Sequence, residues 1–378
     1  MHTPEDSRSP EELSGADGQQ LPPRNFAAPG DSQRPADEEA QTEPLYEIFR
    51  SGFGRSVLRR FRDMVVTLFL MSLLLFLVFQ ILPGDPITMM LGTQGSPEKR
   101  AALEAELQLG RSPLERYAHS ISGLFDPAHP SKSLRFQKPV RSLMQGRLGL
   151  TSFLSLYAFV LIILMSIPLA LLSYAKQGSA LDRFISLLAQ FFMSIPGFFM
   201  GILLILLFGF LFQQYDPGAY SKAGKGFSEQ LAALSLPAFS LALPKLSQAV
   251  QFLRTALIEG QEEDYLRTAR SKGAGPARLL FCHLLRNSLL PYLTALALIL
   301  AELLTGSLVA EQVFVLPGIG RMLFTAIESR DLPLAQGILM TLGFIVVLIN
   351  FTVDMLCYLV DPRLRSAEAV GNERGGDV

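Results

Sequence analysis

Side chains able to do chemistry are few in this chain, and they occur in two settings. One is a charged segment between residues 259 and 290; the other is a set of single ionisable residues, Lys245, Glu302, Glu311 and Asp354, inside apolar stretches. Neither setting has the spacing of a catalytic site. A phosphate-cradling loop needs Gly-x-x-x-x-Gly-Lys-Ser/Thr. The nearest approach, Ala223-Gly224-Lys225-Gly226, lacks the upstream glycine and has no hydroxyl after the lysine. There is no His-Glu-x-x-His pair, and the chain has only 4 histidines. Cys282 and Cys357 are far apart and form no metal or redox spacing, so both read as small apolar fillers. The expectation is a protein that is not an enzyme, with no metal site and no cofactor of its own.

The charged segment is better organised. Glu263-Asp264-Tyr265-Leu266-Arg267-Thr268-Ala269-Arg270-Ser271-Lys272-Gly273 has acids at its start, bases in its last turn and a glycine to stop it. That order predicts a short helix whose charges complement its dipole and whose end turns left-handed at Gly273. Tyr265, Ala269 and Lys272 fall on one face by i, i+4, i+7 spacing. A second helix is expected over 278–290, entering an apolar span at Pro291. Two readings stand side by side here: an interfacial helix with its bases on lipid phosphates, or a knob that docks a soluble partner.

The elements that hold this segment are membrane spans. Apolar residues make up 49% of the chain and charged residues 18%, against about 25% charged in soluble domains. The net charge of −1 argues against nucleic-acid binding. About 20 apolar residues cross a bilayer as a helix. Six such stretches are expected, at about 64–82, 148–175, 184–213, 234–257, 291–313 and 333–360. The fourth is the weakest, because Lys245 and Arg254 interrupt it. Residues 83–147 form a long loop and residues 259–290 the charged loop, within a membrane domain spanning 49–366. Arg55, Arg59, Arg60 and Arg62 precede the first span and Arg363 and Arg365 follow the last. Basic flanks mark the cytoplasmic side, so both termini and the charged loop are placed there. Residues 1–48 are acidic and proline-rich with almost no aromatic content, which predicts a disordered tail rather than a signal peptide. Residues 367–378 form a short C-terminal tail.

The run from Asp264 to Pro291 resembles the cytoplasmic loop of ABC importer permeases, and is most similar to the variant in the dipeptide, oligopeptide and nickel permease family. The matching positions are Asp264, Tyr265, Arg267, Thr268, Ala269, Arg270, Lys272, Gly273, His283, Arg286, Asn287, Leu290 and Pro291. Pro83, Gly84, Asp85 and Pro86 resemble that family's turn after the first span. Ser194, Pro196 and Phe198 resemble its third-span motif. Glu311, Phe314, Pro317, Gly318, Gly320, Arg330, Asp331 and Pro333 resemble its block between the last two spans, and Asp361-Pro362-Arg363 its ending. The acidic tail and the Phe125-Asp126-Pro127 stretch depart from the pattern, and Glu302 is not expected there.

The resemblance implies an all-α membrane protein with six spans and a coupling helix at Asp264–Gly273. It implies a permease that moves short peptides, a nickel complex or a related solute. Its partners would be a homologous sister permease, two ATPase subunits that bind the ATP, an extracytoplasmic solute-binding protein and membrane lipid. Glu302 would then line the route or pair with a base of the sister chain; in the plainer reading it snorkels or stays protonated. Glu311 reads as a structural anchor for the turn after it. The competing class is an ion-coupled transporter or channel acting alone through Glu302, Asp354 or Lys245. The internal repeat common in such proteins is not seen.

Overall fold

A computed structural model of the chain describes residues 45–81, 112–125, 131–211, 220 and 226–360. The expected tail up to residue 44, the turn Pro83-Gly84-Asp85-Pro86, and the residues after 360 lie outside these. The chain divides into two units, Met1–Phe49 and Arg50–Val378, and the described part of the first is the opening of helix α1.

The described residues are helical apart from short connections and one isolated bridge, Lys132 to Pro139. The helices are α1 (Leu45–Ile81), α2 (Pro113–Phe125), α3 (Val140–Ala175), α4 (Ala180–Met193), α5 (Gly197–Ile205), α6 (Phe227–Gly260), α7 (Asp264–Ser271), α8 (Pro276–Val313), α9 (Ile319–Glu328) and α10 (Leu332–Val360). Four of them, α1, α3, α8 and α10, are long and apolar enough to cross a membrane. The pair α4 and α5 passes the same test jointly, giving five.

Several expected boundaries move. Helix α1 begins at Leu45, inside the stretch expected to be disordered. Helix α3 starts at Val140 rather than 148, because its first turns are amphipathic: Val140 and Met144 are buried against Ile319, Met322 and Leu323 of α9. The stretch 184–213 is not one straight span. Helix α4 ends at Ser194, whose N–H meets the carbonyls of the preceding turn. Pro196 has no N–H to continue the ladder, and α5 leaves at 100° to α4. Helix α5 then widens into a π-helical turn at Leu206–Leu211. The helix expected from 278 does not end at Pro291; Pro291 sits inside α8, which is helical from Pro276 to Val313 with a π-helical turn at Leu279–Leu284.

Helix α6 explains why the fourth stretch reads weakly. It is 34 residues long, about 50 Å. It packs on α3, α4, α5 and α8 at the centre of the bundle. Its buried side is Leu234, Ala238, Leu241, Ala242, Leu246, Ala249, Val250, Leu253 and Leu257, with Ser240 and Ser247 among them. Small and hydroxyl residues let helices approach closely inside a membrane bundle. A helix covered by protein therefore needs less apolar surface than one bathed in lipid, and α6 falls short of the apolar test. Ser240 and Ser247 satisfy themselves on Pro237 O and Leu243 O. Tyr292 of α8, fully buried, shares a hydrogen bond of 2.5 Å with Ser166 of α3.

At the end carrying α9, polar contacts add to the apolar packing. Asp331 is buried and accepts from the N–H groups of Leu134, Arg135 and Leu334 and from the hydroxyl of Ser133. It thus caps α10 and fastens the 131–139 turn to it. Helix α9 ends at Arg330 in the left-handed region, and α8 ends at Val315 there too, with φ of 51° and 56°. In both ends the two following N–H groups return to the last-turn carbonyls: Arg330 to Ile327 and Asp331 to Ala326, Val315 to Gln312 and Leu316 to Glu311. That motif prefers glycine. A β-branched residue at positive φ is strained by about 1–2 kcal/mol. Val315→Gly is therefore expected to raise stability by about 1 kcal/mol, read as a higher midpoint of thermal unfolding in detergent.

Candidate functional site

The charged segment forms the helix its sequence predicts. Helix α7 opens on extended backbone at Glu263 and runs through Ser271. Gly273 has φ +82°; its N–H bonds to Arg270 O at 3.0 Å and that of Ala274 to Ala269 O at 3.2 Å. These two bonds are the glycine-terminated stop. A Cβ at Gly273 would meet nothing within 4 Å, so the requirement for glycine comes from φ alone.

The helix is amphipathic. Leu266 is the buried residue and joins the main core cluster; Tyr265 and Ala269 are half-buried beside it. Lys272, the C-cap, is exposed, and its N–H still bonds to Thr268 O at 3.1 Å. Asp264, Arg267, Thr268 and Arg270 are also exposed. Asp264 and Arg267 lie 3.5 Å apart, and both are largely in solvent, so this pair adds little stability. Thr268 returns its hydroxyl to Asp264 O. The outer surface of α7 is thus an exposed strip of charge around Thr268, with Arg267, Arg270 and Lys272 on it.

What lies beneath α7 connects it to the bundle. Gly260 ends α6 so close to α8 that a Cβ would stand 2.8 Å from Leu284 Cδ1. Ser288 donates to Ala256 O at 3.1 Å across the same junction. Tyr174 of α3 donates to Gln261 at 3.1 Å. Two turns up α6, Arg254 makes a two-pronged contact with Asp182 of α4: Nε to Oδ1 2.9 Å and Nη2 to Oδ2 3.0 Å. Asp182 is buried and also accepts from Ser173 (2.6 Å) and from the N–H of Gly178 (2.9 Å). Helices α3, α4 and α6 are therefore clamped together directly above α7. In the sequence Arg254 shows only as an interruption of a span, and Asp182 as a first-turn acid after the N-cap Ser179.

The remaining predicted residues fall elsewhere. Glu302 of α8 pairs with Lys245 of α6, and Lys245 also reaches Gln248 at 3.3 Å. The partner of Glu302 is thus within the same chain. Their side chains remain 48% and 30% exposed. Glu311 is an anchor, as its position implies. It is fully buried, accepts from the N–H groups of Gly320 (2.6 Å) and Arg321 (3.3 Å) and from the hydroxyl of Thr151, and so caps α9. Thr151 in turn accepts from Ile319 N–H at 3.1 Å. Gly318 is required here, since a Cβ would fall within the Glu311 carboxyl group. Gly320 is required too, its Cβ coming 2.6 Å from Leu308 O. Pro317 is exposed on the turn. Neither Leu266 nor Thr151 stands out in the sequence, because a leucine or threonine in a helix carries no sign of its distant partner.

The chain is similar to known proteins along most of its length. Residues 166–366, which contain α4 to α10, match the family described as "Binding-protein-dependent transport system inner membrane component". Residues 53–142 match its companion, "Binding-prot-dependent transport system membrane comp, N-term". A Brucella abortus (strain 2308) protein named "Putative peptide transport system permease protein" is 34% identical over 309 residues, covering 82% of this chain and 98% of that protein. The "Dipeptide transport system permease protein DppB" of Escherichia coli (strain K12) is 32% identical over 334 residues, covering 82% of this chain and 98% of its own length. With matches along nearly the whole length of these relatives, the chain belongs to the family of binding-protein-dependent transport system inner membrane components.

Proposed function

We propose that this chain, as a permease subunit of a peptide-importing ABC system, pairs with a sister permease and receives its driving force through α7 from separate ATPase subunits. The peptide assignment follows the printed names of the relatives, which are peptide and dipeptide permeases. The observation that carries the coupling role is the build of α7. It is a short rigid helix, anchored by Leu266 beneath, stopped by Gly273, and presenting Arg267, Arg270 and Lys272 outward. A lipid-facing helix would turn apolar residues outward; α7 turns its one buried leucine inward.

In this reading ATP binds the partner subunits, both termini and α7 are cytoplasmic, and α6 completes the spans. An extracytoplasmic binding protein delivers the solute at the α9 end. Movement of α7 passes into α6 and α8 through the Gly260 junction and into α3 and α4 through Arg254 and Asp182. Such a device works by biasing two discrete packings of the bundle. Intramembrane acids face a polar route or a partner, so the half-exposed face of α6 and α8 that holds Glu302 lines the translocation route. An ion-coupled carrier working alone would leave this surface of α7 without a purpose.

Two measurements test the coupling role. The chain purified from membranes should bring its ATPase subunits with it. Gly273→Val should then lower ATP-driven uptake at least tenfold while membrane levels stay normal, because the cap no longer forms. Gly273→Ala should have a weaker effect in the same direction. Normal uptake by Gly273→Val, with the ATPase still bound, would remove the coupling role of α7.

A further inference from the structure

Lys245 and Glu302 form an ion pair between two long helices, at Lys245 near the middle of α6 (Phe227–Gly260) and Glu302 in the later part of α8 (Pro276–Val313). Mid-helix ion pairs inside a membrane bundle are costly and are normally closed off by protein. This one is not. Glu302 keeps nearly half its side-chain surface, and Thr305, one turn on, is exposed beside it. The neighbouring Gln248 extends the polar patch. The Asp182–Arg254 pair shows the contrast, being buried and bonded on both oxygens to backbone, hydroxyl and guanidinium. A pair built for cohesion is enclosed; the Lys245–Glu302 pair is left open on the face read above as the route.

We infer that Lys245 and Glu302 are a recognition site for the charged ends of the transported peptide, with Glu302 taking the terminal ammonium and Lys245 the terminal carboxylate. The inference rests on the reading of the α6/α8 face as the translocation route. A dipeptide carries one charge of each sign at its two ends, no more than about 7 Å apart in an extended chain. One cation and one anion on adjacent helices match that pattern. With no peptide present the two side chains neutralise each other, so the empty route holds no bare charge. When a zwitterionic peptide arrives, each exchanges its partner for a peptide end, and the number of paired charges is unchanged. No covalent chemistry is involved.

The test uses the whole importer in proteoliposomes with its binding protein. Uptake of a dipeptide is compared with that of its N-acetylated and C-amidated forms. The same binding protein serves every variant, so its own preferences cancel in the ratios. In Glu302→Gln the preference for the free over the N-acetylated peptide should fall about tenfold relative to wild type, with the preference over the amidated form unchanged. Lys245→Gln should do the reverse. Equal ratios in wild type and variants would overturn the proposal, even if overall uptake falls, and would make the pair a structural or intersubunit contact. Should the neutral variants carry no uptake, Thr305→Cys decides with the pair intact, in a background lacking Cys282 and Cys357. Labelling by a membrane-impermeant maleimide should be slowed by the free dipeptide and not by the N-acetylated one. Labelling that neither peptide slows overturns the recognition role alone; no labelling in any nucleotide state overturns the route reading together with it.

Discussion

Glu311→Ala is expected to cost about 3–5 kcal/mol and to leave little folded protein in the membrane, because it removes an acceptor shared by three donors at once. The N–H groups of Gly320 and Arg321 lose their acceptor, and the hydroxyl of Thr151 loses one of its two. The site is fully buried, so bulk solvent does not reach these groups. Glu311→Gln should cost far less, about 1 kcal/mol. Its carbonyl can still accept from Gly320, and its amide can face Thr151, whose hydroxyl already has a second acceptor in Arg147 O at 3.2 Å. Gly318→Ala should resemble the alanine variant at Glu311, since its methyl group would occupy the carboxyl's space. Thermal unfolding in detergent and membrane yield read all three. A Glu311→Ala protein as stable as wild type would contradict the capping role.

Arg254→Ala should be comparably severe, at about 3–5 kcal/mol, because it strands a buried acid. Asp182 would keep only Ser173 and the Gly178 N–H. Asp182→Ala should cost somewhat less, since Arg254 is about one-fifth exposed and can turn towards solvent. Removing both charges together with apolar residues of similar volume, Asp182→Leu with Arg254→Met, should recover much of the loss. The double-mutant cycle then separates stability from transport. Restored stability with restored uptake makes the clamp a packing device; restored stability with uptake still impaired places it in the transmission of movement from α7.

The legible parts of this protein are those whose signals are local. The acid-to-base order from Glu263 to Lys272 and the glycine after it specify α7 and its left-handed stop without help from the rest of the chain. The apolar spans α1, α3, α8 and α10 read as hydropathy predicts. Helix α6 reads weakly for a physical reason: covered by other helices, it trades leucine for alanine and serine and hosts Lys245 and Arg254 against partners on α8 and α4. The 100° turn at Ser194–Pro196 was illegible in size, since a proline in a membrane helix is compatible with a slight kink or a full break. The α9-end joints were illegible in their partners. Asp331 and Ser133 are 198 residues apart, and Glu311 and Thr151 are 160 apart. A capping acid can be suspected from a glycine-rich turn after it, but which hydroxyl meets it is decided by the packing of α3.

Force reaching the bundle from outside through α7 is measured most directly by peptide uptake into vesicles containing this chain and the sister permease proposed above, with and without the ATPase subunits. Uptake against a gradient should appear only when the ATPase and ATP are both present, and should vanish when either is withheld. Accumulation of peptide by the two membrane chains alone, without any nucleotide-hydrolysing companion, would contradict it.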